Sequence, residues 1–288
     1  MQTALIFDIE EDEKSPKTVN VASVPQRSPF RYPGGKTWLI PTVRQWLSQI
    51  KNIPVLIEPF AGGGIVSLTA AFEQYCQSVI MGELDPEIAS VWETILGDDN
   101  TWLADRILKF DLSIDNINKE FARENKTTKE IAFCTILKNR TYHGGIITKG
   151  SGLLKAGENG RGILSRWYPR TLYDRINNIN NIKDIIEFKL EDAFKLIEDH
   201  INDKNAFFFI DPPYVKAAKR LYTFHEVDHE KLFELVSRIK GKYMLTYDDS
   251  PEVRHYAKKY NLLYRSIPMK TTHHWEKYEL LIADNLEW

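Results

Sequence analysis

The stretch Pro54-Val-Leu-Ile-Glu58-Pro-Phe60-Ala61-Gly62-Gly63-Gly64-Ile65 decides the fold class. A short apolar run bounded by prolines and ending in three glycines reads as a buried strand that turns sharply into a helix. The helix is expected from Ile65 to about Tyr75, followed by a strand near Ser78–Gly82. Strand, glycine turn, helix, strand is a βαβ unit and predicts a parallel sheet. Working outward, Trp38–Ile50 has an amphipathic helical pattern. The α/β alternation returns with strands near Ile185–Phe188, Ala206–Ile210 and Lys242–Tyr247, helices near Glu191–His200, Asp228–Ile239 and Ser250–Tyr260, and last strands near Leu262–Ile267 and Tyr278–Ala283. The expectation is an α/β protein with a doubly wound sheet interrupted once.

The interruption spans residues 90–180. Helical patterns dominate from Glu87 to about Asn125, with helix starts at Asp99 or Thr101 and at Ser113 or Asp115, and a further helix covers Lys129–Arg140. Tyr142–Trp167 is too glycine-rich for a helix and too interspersed with Ile and Leu for a plain linker, so it reads as a hairpin or ordered loop. Residues 1–27 lack periodicity and read as a mobile tail. Residues 28–89 and 181–288 form the main domain, with 90–180 as a subdomain.

At 288 residues and 43% hydrophobic, the chain can bury a core without staples. Its two cysteines, Cys76 and Cys134, form no metal-type or redox-type pair, which suits a reducing cytoplasm. No apolar run reaches membrane-span length, and the acidic start at Asp8–Glu13 is unlike a signal peptide, so no membrane partner is expected. The formal net charge of −2 hides two basic zones. Residues 27–51 carry Arg27, Arg31, Lys36, Arg44 and Lys51 with no acid, while residues 138–175 hold eight basic residues against Glu158 and Asp174. Two basic zones on an acidic body suggest a localised polyanion track.

The glycine turn stands at the carboxyl end of the first strand, where open α/β sheets bind ligands. About twenty residues on come Glu83 and Asp85, placed to accept hydrogen bonds from ribose hydroxyls. The dinucleotide pattern needs a glycine at 67, but Ser67 is there, which weakens a hydride-transfer reading. The sharper signal is Asp211-Pro212-Pro213-Tyr214, directly after Ala206-Phe-Phe-Phe-Ile210. A strand-end acid, a rigid proline pair and an exposed aromatic can hold a flat, amine-bearing ring: Tyr214 stacks, while Asp211 and the Pro212 carbonyl accept from the amine. His225-Glu-Val-Asp-His229 matches a zinc-protease pattern, but Asp228 is the better N-cap, so His225 would precede the helix and no metal site is expected.

In order along the chain, Phe30-Arg31-Tyr32-Pro-Gly-Gly-Lys36, Glu58-Pro-Phe60-Ala61-Gly62-Gly63-Gly64, Glu83-Leu84-Asp85-Pro86 and Asp211-Pro-Pro-Tyr214 resemble the Dam-like N6-adenine DNA methyltransferase family, alpha group, DPPY type. The resemblance covers about Ser28–Asn285, with weaker similarity at Asp192, Thr246–Ser250 and Tyr278–Ile282. It implies a Rossmann-like S-adenosylmethionine-dependent methyltransferase sheet with an inserted, mostly helical target-recognition subdomain. By that resemblance Tyr32, Lys36, Glu58, Phe60, Ala61, Gly62–Gly64, Leu84 and Asp211 bind S-adenosylmethionine, Glu83 takes its ribose hydroxyls, Asp192 and Ala193 meet its adenine, and Asp211–Tyr214 are catalytic. Duplex DNA is the implied partner, contacted by Arg31, Asn139, Arg140, Tyr142, His143, Arg161, Arg166 and Arg170, with a cognate restriction endonuclease as a second partner in a restriction–modification system. Glu83 stands where the family usually has Asp, and Tyr32 where Trp is common. Where members reading GATC show Asn-Gly followed closely by Arg, this chain has His143-Gly-Gly-Ile-Ile147, so its site need not be GATC.

Such a protein methylates a flipped-out adenine on its amino nitrogen. Cytosine C5 chemistry would need a thiol near the Asp211 turn, and neither cysteine is near it in sequence. The rival readings are an RNA or protein-amide methyltransferase with a similar Pro-Pro-Tyr turn, a nicotinamide-dependent oxidoreductase, and a non-enzymatic DNA-binding module.

Overall fold

A computed structural model describes residues 23–31, 34–148, 150–214, 226–270 and 276–288. A 3-10 turn over Lys36–Leu39 leads into α1 (Ile40–Leu47), and then come β1 (Ile53–Glu58), α2 (Ile65–Phe72), β2 (Cys76–Glu83) and α3 (Pro86–Leu96). The interrupting region supplies α4 (Asn100–Lys109), α5 (Ile114–Ala122), α6 (Thr128–Thr141) and α7 (Pro169–Ile179). The remainder is β3 (Ile186–Leu190), α8 (Ala193–His200), β4 (Ala206–Ile210), α9 (His229–Val236), β5 (Lys242–Asp248), α10 (Pro251–Lys259), β6 (Leu263–Lys270) and β7 (Glu276–Ala283).

The seven strands form one sheet in the order β3-β2-β1-β4-β5-β7-β6. Strands β1 to β5 pair in parallel, as the βαβ pattern requires. The last two depart from that rule: β7 lies antiparallel between β5 and β6. Only residues 271–275 join β6 to β7, too few for a crossover helix, so these strands can pair only antiparallel. Strand order reverses between β1 and β4, which puts the topological switch point at their carboxyl ends.

β4 shows why the sheet forms. All five residues of Ala206-Phe-Phe-Phe-Ile210 are buried, as expected of a central parallel strand covered on both faces. Phe207 and Phe209 enter one apolar cluster with α1, α2 and α3, while Phe208 and Ile210 enter the other with α8, α9 and α10. Side-chain alternation along one strand thus feeds both layers.

The interrupting helices share the first of these clusters. Leu103 and Ile107 of α4, Phe133 and Ile136 of α6, and Leu172 and Ile176 of α7 are contiguous with Trp92 and Ile95 of α3. The expected boundary at residue 90 falls inside α3, whose buried Ile88, Val91, Trp92 and Ile95 bind the region to the sheet. Helix starts follow sequence chemistry: Ser113 accepts from the Asn116 N–H, and Thr127 with Glu130 forms a capping box. Among the described residues, the Tyr142–Trp167 stretch carries short 3-10 turns and an antiparallel bridge, Tyr142 to Leu153. Packing also begins within the stretch read as a tail, since Val24 is buried and Arg27 pairs with Glu73 at 2.9 Å. Among the described residues, no helix is long and apolar enough to cross a membrane.

Candidate active site

The carboxyl ends of β1, β2 and β4 border a cavity of about 280 Å³. Its wall is built first by the glycine turn. Gly64 caps α2 with φ +62°, and a Cβ there would lie 2.6 Å from Met81 Cε and 2.8 Å from Trp92 Cζ2, so both conformation and space demand glycine. The turn is tied from outside: Ser28 Oγ donates to the Gly63 carbonyl at 2.5 Å and Trp92 Nε1 to the Gly62 carbonyl at 2.9 Å.

Glu83, at the end of β2, accepts from the Gly62 N–H at 3.1 Å on one oxygen and from the Leu84 and Asp85 N–H groups at 2.8 and 2.9 Å on the other. Burial pushes its carboxyl up to about 7 against the pull of those three donors. Asp192, at the end of β3, N-caps α8 through Oδ1, which accepts from Phe194 and Lys195 N–H. Oδ2 has no hydrogen-bond partner among the described residues, and Asp192 and Ala193 line the cavity. Phe60, Ala61, Gly62–Gly64 and Leu84 line it as well, so these cofactor candidates converge on one wall. Glu58 also borders it but is committed inward: it is buried, accepts from the Ser67 N–H at 2.9 Å, and burial pushes its carboxyl up to about 8. Ser67, which breaks the dinucleotide pattern, is therefore the donor that satisfies Glu58. Tyr32 and His225 lie outside the described residues.

At the other end stands Asp211. Thr246 Oγ1 and Lys36 Nζ each donate to its Oδ1 at 2.8 Å, and Tyr214 Oη lies 3.2 Å from the same oxygen with a single proton to give. Oδ2 has no partner among the described residues, and Asp211 and Pro213 line the cavity. Lys36, a cofactor candidate in sequence, is thus placed against the strand-end acid. Glu279 of β7 completes the cluster, accepting from Tyr214 Oη at 3.0 Å and lying 3.7 Å from Lys36 Nζ. Burial pushes the Glu279 carboxyl up to about 7, while Lys36 pulls it down.

Tyr214 is not the exposed aromatic that the sequence suggested. Its ring stacks on Tyr247 at 5.6 Å with a 22° interplanar angle, Lys36 Nζ lies 4.9 Å from its centroid, and it does not line the cavity. The hydroxyl is drawn inward by two carboxylates, and the ring follows. Tyr247 is in turn held by His229 Nδ1 at 2.6 Å. Asp228 caps α9 by accepting from the Lys231 N–H, and no cluster of metal ligands occurs among the described residues.

Two of the expected DNA contacts are buried. Asn139 is buried and knits loops together, donating to the Arg31 and Gly145 carbonyls at 3.0 and 2.9 Å and accepting from the Arg31 N–H. Arg140 is buried, donating to the Pro29 carbonyl, and burial beside Arg175 and Arg31 lowers its guanidinium to about 9. Both tie down the Ser28–Arg31 loop, and Asn139 also lines the cavity. Arg31, His143, Arg161 and Arg170 are exposed, and Tyr142 and Arg166 are half-buried. Sequence reading assigned no role to Glu279, Thr246 or Tyr247, although all lie in stretches with weak family similarity.

The residues present fit S-adenosylmethionine: acids at the ends of β2 and β3, the second with an open acceptor, and a glycine-walled cavity leading to a third acid. No curated protein matches the sequence. Solved structures with similar folds include the rRNA methyltransferase aviRa from Streptomyces viridochromogenes, at 13% identity and TM-score 0.39 over 88% of this chain and 86% of that one. TrmK from M. capricolum, bound to S-adenosyl-homocysteine, is similar at 8% identity and TM-score 0.36 over 84% and 66%. The family model for D12 class N6 adenine-specific DNA methyltransferases matches residues 32–141 and 160–271, which takes in the glycine turn, Glu83, Asp192 and the Asp211 turn. The chain belongs to that family, and it is an S-adenosylmethionine-dependent methyltransferase.

Proposed function

We propose that the protein is a site-specific DNA adenine N6-methyltransferase acting on a flipped-out adenine in duplex DNA. The observation that carries this reading is Asp211, which lines the cavity with Oδ1 engaged by Lys36 and Thr246 and with Oδ2 without a partner among the described residues, open to an amine. The adenine amine is a poor nucleophile because its lone pair is delocalised into the ring. A hydrogen bond to Oδ2 favours a pyramidal nitrogen, and the carboxylate stabilises positive charge developing there. S-adenosylmethionine supplies a methyl on a sulfonium when bound, and transfer leaves S-adenosylhomocysteine and one proton from the amine. Glu83 would hold the ribose hydroxyls and Asp192 the cofactor's adenine.

A base within a duplex cannot reach this crevice, so the target is extruded. Stacking on the Tyr214 face beneath Lys36 requires the ammonium to shift. Arg31, His143, Arg161, Arg166 and Arg170 are the candidate nucleic-acid contacts, with phosphate anchoring and base reading still to be divided among them.

Labelled methyl incorporation into duplex DNA, into RNA of the same sequence and into bulk protein tests the reading. The expected result is incorporation into DNA alone, and incorporation confined to RNA or protein would overturn it. Calorimetry separates the oxidoreductase rival: S-adenosylhomocysteine is expected to bind, and tight NAD binding without it would contradict the cofactor assignment.

A further inference from the structure

Glu279 is an unusual presence at its position. β7 lies between two strands, its Glu279 side chain is buried, and the neighbouring Leu280, Leu281 and Ile282 are fully buried and apolar. A carboxylate in such a place costs free energy unless it is paired. Its partners are Tyr214 Oη at 3.0 Å and Lys36 Nζ at 3.7 Å, the same two groups that lie 3.2 and 2.8 Å from Asp211 Oδ1, with the single Tyr214 proton shared between the two carboxylates.

Resting on the methyltransferase reading above, we propose that Glu279 is a positioning residue for the transfer, holding Lys36 and Tyr214 so that Asp211 keeps Oδ1 occupied and Oδ2 turned to the acceptor amine. Two consequences follow from the geometry. Lys36 opposes a positive charge growing on nitrogen, and Glu279 in its ionised form offsets the Lys36 charge at that point. Glu279 also gives the ammonium somewhere to go: when a base enters over Tyr214, Lys36 can shift its pairing from Asp211 toward Glu279 without being left buried and unpaired.

Glu279→Gln keeps the shape and an acceptor for Tyr214 but removes the charge. It is expected to lower kcat for methyl transfer ~100-fold, on the scale of losing one preorganised electrostatic contact. The KM for S-adenosylmethionine and the affinity for S-adenosylhomocysteine should stay near wild type, because Glu279 does not line the cofactor wall. Tyr214→Phe removes the bridging hydroxyl and keeps the ring. Its loss should combine with that of Glu279→Gln in a strongly non-additive way, whereas additive losses would contradict a shared role. A readout independent of substrate is the acylation of Lys36 by a small amine reagent, followed by mass spectrometry: protected in the wild type, where its side chain is 4% exposed, and faster in Glu279→Gln. A variant with wild-type kcat, or with unchanged Lys36 protection, overturns the inference. If the wild type itself methylates no DNA, the functional reading falls, and the Lys36 measurement still decides the role of Glu279.

Discussion

Asp211→Asn probes the centre of the site with the least change of shape. The orientation of the new amide is fixed by the structure: the Lys36 ammonium and the Thr246 and Tyr214 hydroxyls all approach Oδ1, so the amide carbonyl must take that side. The NH2 group then replaces Oδ2 and faces the acceptor amine, donor against donor. A charge-assisted hydrogen bond of ~1.5–3 kcal/mol is lost, and the substrate amine is left unsatisfied at a further ~1–3 kcal/mol. The sum of about 4 kcal/mol corresponds to a fall in kcat of roughly 10³-fold. Flipping the amide offers no escape, since it sets NH2 against a buried ammonium. Single-turnover methylation with saturating cofactor measures the chemical step, and S-adenosylhomocysteine titration checks that the cofactor end is intact. A kcat within tenfold of wild type would refute the reasoning, because Asp211 would then be shaping the turn and not receiving the amine.

Other predictions concern stability and the nucleic-acid surface. Gly64→Ala combines a left-handed backbone with Cβ contacts of 2.6 and 2.8 Å to Met81 and Trp92, and it should cost roughly 2–5 kcal/mol in urea unfolding. Glu130 is held at about 2 by the Thr127 N–H and hydroxyl and by Arg123. Its folded value lies below its unfolded value, so its contribution is present above the unfolded value and lost as pH falls toward about 2. Glu130→Gln should therefore flatten the acid-side decline of Tm, and an unchanged decline would contradict the capping-box assignment. Arg161→Ala and Arg170→Ala should each weaken DNA binding and reduce the salt slope by ~1 if they anchor phosphates, or relax one base position if they read sequence. Arg140→Ala should instead lower Tm, and a normal Tm with altered site preference would restore it to the interface.

Much of the catalytic end was legible because β4 and its turn carry their own signals. Five apolar residues, an acid and two prolines in succession admit few other readings, and the glycine turn marks the opposite wall in the same way. The contacts of Asp211 were not legible. Lys36, Thr246 and Glu279 are separated along the chain and meet only because β4 and β5 end beside the start of the antiparallel β7 and the Lys36–Leu39 turn, and Glu279 occupies a position that pattern alone assigns to a buried apolar side chain. Asn139 and Arg140 misled for a related reason. Residues Ala132–Leu137 and Asn139–Thr141 of α6 are buried, so nearly the whole circumference of its later turns is covered, and Asn139 and Arg140 there satisfy loop carbonyls. Charge counted along the sequence could not distinguish a guanidinium beneath a loop from one on a surface.

The most direct measurement is the identity of the modified nucleoside. Duplex DNA incubated with the protein and S-adenosylmethionine, then digested to nucleosides and analysed by mass spectrometry, should yield N6-methyladenine as its methylated product, and the yield should vanish with Asp211→Asn. Methylation found only on cytosine, or a yield indifferent to that substitution, would contradict the account.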